Sequence, residues 1–437
     1  MTTRRDFLKS LTAAAAMVGS AGAPKFSFAQ EAGGKTFIKV FMRGGADGLH
    51  LFPLYGDDFY YTYRPDMAIE RPSDSDGNTA IDLGPAAGGM RGMNPNLEPL
   101  MDIWDAGNMM IAPATSFNPN NRSHFDCQRW IGTGARNNLI DGYLNRYMQQ
   151  DLTNDHPLRG VVAGKTSIST EIRGELRVPA VFNRESFDLR NGDFCMGDGC
   201  SDNQLTDLMR EISSHDVDLP GAEGEFRDTQ VVLLDTIAEV QAAGASYTPA
   251  DGVTYTNSDL GRGLRLCAQL IKAGVPLEVA ALDWNIGWDT HSDQIPGNNA
   301  MNRFTDQNFR YHRRMAEGAR DFAAFYRDLG ADMSNVVVLV GSEFGRTKKQ
   351  NGSRGSDHGE GGSWFAFGGP TQQAIAPDVS TIDDSMIDRN WLPTVTNYRN
   401  IVGEIMVRHM GMSQQLISTI FPNHSFEDYS LFRGASS

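Results

Sequence analysis

The chain has 437 residues, of which 40% are hydrophobic and 21% are charged. This composition supplies enough apolar material for a large core and excludes a mainly disordered protein. The formal net charge is −15, from 54 acidic and 39 basic side chains. Proteins that bind polyanions are normally basic, so the charge argues against a nucleic-acid partner.

The first 29 residues carry the pattern of an export signal. Arg4-Arg5 is followed by Phe7-Leu8-Lys9, by a mildly apolar stretch from Leu11 to Ala23, and by Ser27-Phe28-Ala29. These features are typical of a twin-arginine signal with a small-x-small cleavage site, and the alternative is a disordered basic tail. The sequence therefore predicts a signal peptide over residues 1–29 and a periplasmic or secreted mature chain. No later segment reaches the roughly 18 apolar residues of a membrane span, so no transmembrane segment is expected there.

Beyond the signal, short apolar runs alternate with helical patterns, and we expect residues 30–437 to form one domain. The Val336–Val340 run has no polar alternation, which is typical of a strand buried on both faces. Alternating strands and helices predict an α/β fold with a mostly parallel central sheet and helices on both faces. The predicted strands cover residues 37–42, 109–113, 277–283, 336–340 and 364–367, and the predicted helices cover 97–105, a segment beginning at 124, 226–243, 259–273 and 302–329.

A polar, glycine-rich segment over about residues 164–220 predicts a loop-rich insertion or cap. It contains Cys195 and Cys200, which could form a small disulfide in an oxidising compartment. The remaining two cysteines, Cys127 and Cys267, lie in apolar segments and are expected to be buried thiols.

Polar clusters stand next to four predicted strands, where ligands of parallel α/β sheets gather. Carboxylate oxygens and imidazole nitrogens together are ligands for zinc, manganese and related divalent ions. Two such ions roughly 3.5–4 Å apart could hold both oxygens of an ester displacement. The candidate metal ligands are Asp47, Asp289, His291, Glu343, Asp357 and His358.

Each cluster also has a structural interpretation. Asp47, within Gly-Gly-Ala-Asp-Gly, could form an Asx-type turn. Asp289 and His291 could belong to a surface turn, and Glu343 could pair with Arg346. His358 is harder to explain this way, because a flexible glycine-rich loop is a poor place for a core histidine.

Ser123 is a candidate nucleophile at the start of the helix predicted from His124. A hydroxyl there faces free backbone N–H groups and the positive helix end, which would favour a bound tetrahedral anion. A covalent phospho- or sulfo-serine is then chemically reasonable. The alternative is an N-cap, because Ser-His-Phe-Asp is also a capping pattern. Arg122 and Arg346 are candidates for holding the outer oxygens of the anion.

Five motifs in this order resemble those of an uncharacterised bacterial family, a domain of unknown function placed in the alkaline phosphatase-like superfamily with sulfatases. The resemblance runs from about Thr36 to Gly411 and implies an alkaline phosphatase-like α/β sandwich and a twin-arginine signal. The motifs are Arg43-Gly-Gly-Ala-Asp-Gly, Arg122-Ser-His-Phe-Asp, Gly287-Trp-Asp-Thr-His, Ser342-Glu-Phe-Gly-Arg-Thr and Ser356-Asp-His-Gly-Glu-Gly-Gly.

By order along the chain, this resemblance implies a serine nucleophile and a bimetal site. Asp47 resembles the first ligand, Ser123 the nucleophile, Asp289 and His291 the middle pair, and His358 the last histidine. Two positions depart from the superfamily pattern. Glu343-Phe344 stands in the place of an Asp-His pair, and Glu360 stands where family members often have histidine. Both departures imply the loss of an imidazole ligand.

The leading interpretation is an exported hydrolase of phosphate or sulfate esters that uses one or two divalent ions (zinc, manganese, calcium or magnesium). Its substrate would be a small-molecule or glycan ester. The alternative is a non-catalytic exported or cell-surface binding protein that keeps the same fold. An oxidoreductase is disfavoured, because the sequence has no dinucleotide fingerprint, iron–sulfur pattern or haem motif.

Overall fold

The computed structural model describes residues 34–73, 78–117, 121–137, 139–151, 154–184, 187, 211, 222–297, 302–376, 381–382 and 390–434. These residues belong to one compact unit, Gly33–Ser437. The predicted signal peptide and the Cys195–Cys200 loop lie outside the described residues. Among the described helices, none is long and apolar enough to cross a membrane.

The described residues form a nine-stranded sheet in the order β10-β4-β9-β8-β1-β7-β5-β6, with β11 also paired to β4. Strand β9 runs antiparallel to β4 and β8, and the other neighbours are parallel. The prediction of a mostly parallel sheet is therefore confirmed. The strands are β1 (Thr36–Phe41), β4 (Met109–Ser116), β5 (Gly160–Ala163), β6 (Ala180–Val181), β7 (Val279–Asp283), β8 (Val336–Gly341), β9 (Gly362–Phe367), β10 (Ala374–Ile375) and β11 (Thr396–Asn397), while β2 (Ile81–Asp82) and β3 (Gly92–Met93) form a separate antiparallel pair.

Helices cover both faces of the sheet, so the chain has two main cores. Strand β1 shows the division, because Ile38 and Val40 belong to one buried cluster while Phe37 and Phe41 belong to the other. This follows from the alternation of side chains along a strand. The α-helices are α1 (Gly48–Leu51), α2 (Asp58–Tyr63), α3 (Met101–Asp105), α4 (His124–Thr133), α5 (Tyr143–Gln150), α6 (Ala222–Ala245), α7 (Asp259–Lys272), α8 (Arg310–Leu329), α9 (Tyr398–Glu404) and α10 (Ile417–Ile420).

Two predicted segments differ from the structure. The helix predicted from residue 302 begins only at Arg310, because residues 302–309 form turns in which Asn302 and Asp306 accept backbone hydrogen bonds. The predicted insertion, about residues 164–220, begins directly after β5 and contains β6, an edge strand of the main sheet. Most of the insertion after residue 184 lies outside the described residues.

Helix α8 packs closely on the segment that leaves β7. A Cβ atom on Gly318 would lie 2.2 Å from Nε1 of Trp284, which is buried. The Trp284 ring also packs edge-on against Trp288, with ring centroids 4.9 Å apart, and Trp288 precedes Asp289. The absence of a side chain at Gly318 therefore sets how closely α8 approaches the loop that carries Asp289.

Gly318→Ala is expected to lower the free energy of unfolding by about 1–3 kcal/mol, because the new methyl group overlaps a rigid, buried indole. Urea denaturation measures the change. Gly352→Ala is the matched control, since no atom of the described residues lies within 4 Å of the Cβ added there. An equal loss of stability in both variants would contradict the close packing of α8 on Trp284.

Candidate metal centre

The predicted polar clusters meet because several strands end at one edge of the sheet. Phe41, the last residue of β1, pairs with Asp283 of β7 and with Gly341 of β8, so these three strands end level. Strand β9 is antiparallel, and its first residue, Gly362, pairs with Thr115 near the end of β4. The loops after β1, β4, β7 and β8 and the loop before β9 therefore reach the same place.

His124 is the first residue of α4, and its side chain is fixed by Glu343 from the loop after β8. Nδ1 of His124 lies 2.7 Å from Oε1 of Glu343. The same carboxylate accepts hydrogen bonds from the backbone N–H of Gly44, from Gln128 and from Ser342. Glu343 is only 1% exposed, so it acts as a rigid acceptor that orients the imidazole.

Electrostatics keep Glu343 ionised. Burial works to raise the pKa of Glu343, but hydrogen bonds from His124 and Gln128 lower it below its usual value. In return, the hydrogen bond with Glu343 raises the pKa of His124. Since a carboxylate accepts but does not donate, Nδ1 of His124 carries the proton and Nε2 of the neutral ring carries a lone pair.

The other two histidines of the site are oriented in the same way. Nδ1 of His358 lies 3.0 Å from the backbone oxygen of Arg122. Nδ1 of His291 lies 3.0 Å from Oδ1 of Asp357, a carboxylate that also accepts from Asn351. Both partners are acceptors, so each Nδ1 donates and each neutral ring presents Nε2 as a lone pair.

These lone pairs point at one another. Nε2 of His358 lies 3.0 Å from Nε2 of His124 and 3.0 Å from Nε2 of His291. Asp289 completes the group, with Oδ1 3.0 Å from Nε2 of His358 and 3.2 Å from Nε2 of His291, and Oδ2 3.4 Å from Nε2 of His124. Neutral imidazole lone pairs at this distance repel. A single shared proton would relieve only one of the two nitrogen pairs, whereas a bound cation relieves both.

The donor set fits a divalent cation. His124, Asp289 and His358 each offer one ligand atom, and these atoms all lie within 4.8 Å of one another. Four ligands about 2.0–2.1 Å from a tetrahedral zinc ion would lie roughly 3.3–3.4 Å apart, which is close to the 3.0–3.4 Å separations given above. His291 adjoins this triad as a further imidazole. Its hydrogen bond to Asp357 is the outer contact that metal-binding histidines usually make.

Asp289 is held as a charged ligand by Arg346. Nη2 of Arg346 lies 2.5 Å from Oδ1 of Asp289. Partial burial works to raise the pKa of Asp289, but the hydrogen bond from Arg346 outweighs it and the pKa falls to about 2. The carboxylate is therefore ionised at neutral pH.

Asp47 is not brought into this group. Its carboxylate forms a buried, two-bond ion pair with Arg64, at 2.7 and 3.0 Å, and also accepts from Gln294. It caps α1 by accepting from the backbone N–H of Leu49. Burial works to raise the pKa of Asp47, but Arg64 lowers it below its usual value. All of these contacts are structural.

The two predicted anion-binding arginines have different surroundings. Arg346 is 2% exposed and donates to the backbone oxygens of Gly45, Ser356 and Trp288 as well as to Asp289, so it links the loops of the site. The guanidinium of Arg122, by contrast, makes no hydrogen bond or ion pair to any described residue and rests on the ring of Trp391.

Ser123 is the N-cap of α4. Its Oγ accepts from the backbone N–H of Asp126 at 3.4 Å, and its own N–H donates to Asn121. The side chain is partly exposed, and the next residue is His124. The capping interpretation and a position beside the metal centre are thus compatible.

Sequence reasoning missed His124 as a site residue. The signal was available, because His124 directly follows the predicted nucleophile at the start of a helix that comes after a buried strand. Gln128 stands four residues later on the same helix face, and both side chains contact Glu343. Glu343, predicted as a ligand, instead contacts the Nδ1 side of His124.

We expect His358→Ala to lose bound metal and Asp47→Ala to keep it. His358 lies at the centre of the lone-pair group, whereas Asp47 neutralises Arg64 in the core. Removing one partner of a buried ion pair costs about 3–5 kcal/mol, so Asp47→Ala should be strongly destabilised. Elemental mass spectrometry gives the metal content, and urea denaturation gives the stability.

The control for the stability measurement is Asp58→Ala. Asp58 pairs with Arg71 at 2.6 Å, but both side chains are exposed, so the loss should be within about 1 kcal/mol. Loss of metal in Asp47→Ala with unchanged stability would contradict this prediction and indicate that Asp47 is a metal ligand.

Glu343→Gln is expected to weaken metal binding about 10- to 100-fold, because the amide no longer fixes the orientation and basicity of His124. Competition with a chelating dye measures the affinity. Glu360→Gln is the matched control: Glu360 is also a buried carboxylate, but its partners are Trp391 and the backbone N–H of Thr394. Equal metal affinity in the Glu343 variant and the wild type would contradict the orienting role.

Comparisons with known proteins identify a family but no activity. A search of curated proteins finds no match to the chain. Among solved structures, the crystal structure of the lipoteichoic acid synthase LtaP from Listeria monocytogenes is similar, with 9% sequence identity, a TM-score of 0.30, and coverage of 86% of this chain and 73% of that chain. The sequence model of the family described as "Protein of unknown function (DUF1501)" matches residues 119–378, more than half of the chain, and the protein belongs to this family.

Proposed function

We propose that the protein is an exported, metal-dependent hydrolase of phosphate or sulfate esters with an alkaline phosphatase-like fold. The chemistry is inferred from the site geometry, and the superfamily is inferred from the order of the five sequence motifs. Export rests on the twin-arginine pattern within residues 1–29. The substrate would be a small-molecule or glycan ester.

The observation that carries the proposal is that the Nε2 atoms of His124 and His291 both approach Nε2 of His358, and that all three rings approach the carboxylate of Asp289. Each of the three rings has its Nδ1 hydrogen committed to an oxygen acceptor. The nitrogen-rich ligand set favours zinc, or a similar transition metal, over calcium and magnesium, which prefer oxygen ligands. A divalent ion bound there would act as a Lewis acid toward an ester oxygen and lower the pKa of a nearby hydroxyl.

Ser123 is the nucleophile that we propose. Consecutive Cα atoms are about 3.8 Å apart. The side chain of Ser123 therefore branches from the backbone next to that of His124, a proposed metal ligand. Its hydroxyl would attack phosphorus or sulfur, the alcohol would leave with a proton, and water would then cleave the serine ester to release the inorganic anion. The N-terminus of the ten-residue helix α4 favours the negative charge carried by this intermediate.

The non-catalytic alternative loses part of its support. It was favoured by the missing imidazoles and by the glycine-rich insertion, but His124 adds an imidazole beside Glu343, which orients it. Metal binding without turnover remains the result that would favour a binding protein.

The test combines metal content with ester hydrolysis. Protein purified without chelators should hold one or two equivalents of a divalent ion and hydrolyse aryl phosphate or aryl sulfate. Ser123→Ala should retain the metal but lose at least about 100-fold in kcat, since the covalent route is removed. His156→Ala is a control that should retain both properties, because His156 precedes β5 at the opposite edge of the sheet.

Two outcomes would contradict the proposal. Folded protein that takes up no divalent ion on titration would exclude the metal centre. Full activity in Ser123→Ala would reduce Ser123 to a helix cap and leave a metal-bound water as the attacking group.

A further inference from the structure

Arg122 comes two residues before His124, and its guanidinium makes no hydrogen bond or ion pair with a described residue. Its backbone oxygen accepts from Nδ1 of His358 at 3.0 Å, which ties the residue to a proposed metal ligand. Its guanidinium carbon lies 3.9 Å from the centroid of the Trp391 ring. A guanidinium has five N–H donors in a planar fork. Stacking on an aromatic face leaves those donors directed outward, in the plane of the group.

Trp391 is itself held in place by a buried carboxylate. Its indole Nε1 donates to Oε2 of Glu360 at 3.2 Å, and Oε1 of Glu360 accepts from the backbone N–H of Thr394 at 2.8 Å. Glu360 is 7% exposed. The Trp391 backbone also forms a bridge with Thr347, next to Arg346. The ring that supports Arg122 is thus fixed at two points.

Charge adds to this arrangement. The carboxylate of Glu360 polarises the indole N–H and so enriches the ring face in negative charge, which strengthens its attraction for a guanidinium. Glu360 makes no direct ion pair with Arg122 among the described contacts. The ring therefore stabilises the cation, and no described residue occupies its N–H donors.

Resting on the proposed function, we infer that Arg122 binds the non-bridging oxygens of the ester substrate, and that Trp391 and Glu360 are positioning residues that orient it. The ligand chemistry is a tetrahedral oxyanion with at least two free oxygens, which a guanidinium contacts in a bidentate manner. This gives Glu360 a role other than that of a lost metal ligand: it belongs to the anion-binding part of the site.

The test is calorimetric titration of inorganic phosphate into metal-loaded protein, which does not depend on turnover. Arg122→Gln should weaken phosphate binding by at least about tenfold. Trp391→Leu should weaken it about three- to tenfold, and Trp391→Phe should restore much of the loss because it keeps an aromatic face. Metal content should be unchanged in all three variants.

Glu360 is tested by a pair of substitutions. Glu360→Leu should weaken phosphate binding most, and Glu360→Gln should weaken it less, because the amide oxygen still accepts from Trp391 or Thr394 while the NH₂ group faces the other N–H donor. A merely structural role would not give this graded effect. Arg136→Gln is the matched control, since Arg136 also lies over a tryptophan, Trp130, but beyond the far end of α4.

The outcomes separate this inference from the hydrolase proposal. Unchanged phosphate affinity in Arg122→Gln or Trp391→Leu would overturn the inference even if the enzyme hydrolyses esters. Absence of phosphate binding by the wild-type protein would also overturn it. Loss of phosphate affinity in these variants, in a protein that hydrolyses no ester, would support the inference and contradict the hydrolase proposal alone.

Discussion

Three hydrogen bonds donated by imidazole Nδ1 atoms determine what the site can bind. Glu343, Asp357 and the backbone oxygen of Arg122 are all acceptors, so each takes the single hydrogen of a neutral ring. The remaining nitrogens have only lone pairs to present, and the fold directs them at one another beside an ionised Asp289. Such an arrangement is unfavourable without a cation. The outer acceptors, rather than the inner side chains alone, therefore make the cluster a candidate metal centre.

The elements of the fold could be predicted wherever a residue pattern was compatible with only one type of secondary structure. Val336–Val340 is a continuous β-branched run, and it is the core of β8 at the middle of the sheet. The short strands β5 and β6 carry no comparable run and were missed. The antiparallel direction of β9 also could not be predicted, because it depends on pairing with β4 and β8 rather than on any local signal.

The site was harder to predict than the strands that position it. The strand-end rule located Asp289, His291 and His358, but it could not distinguish a carboxylate of the candidate metal centre from one that pairs with a cation of the protein. Asp47 illustrates this, because its partner Arg64 comes from α2 and reaches it only in the folded chain. His124 could not be placed in the site from the sequence, because its partner Glu343 is 219 residues away along the chain. In both cases the missing information was a side-chain contact with a residue well separated along the chain.

Because the chain is acidic, the contacts of Arg122 and Arg346 matter for anion binding. A protein with a net charge of −15 offers no general attraction to an anion, so affinity for a phosphate or sulfate group must arise from a few local cations. Arg346 is unsuited to this task, because backbone oxygens and Asp289 occupy its donors. An arginine supported by an aromatic ring avoids that competition: the ring stabilises the charge without occupying an N–H group. Arg122 has this kind of support, because the Trp391 ring packs on its guanidinium and no described residue occupies its N–H groups.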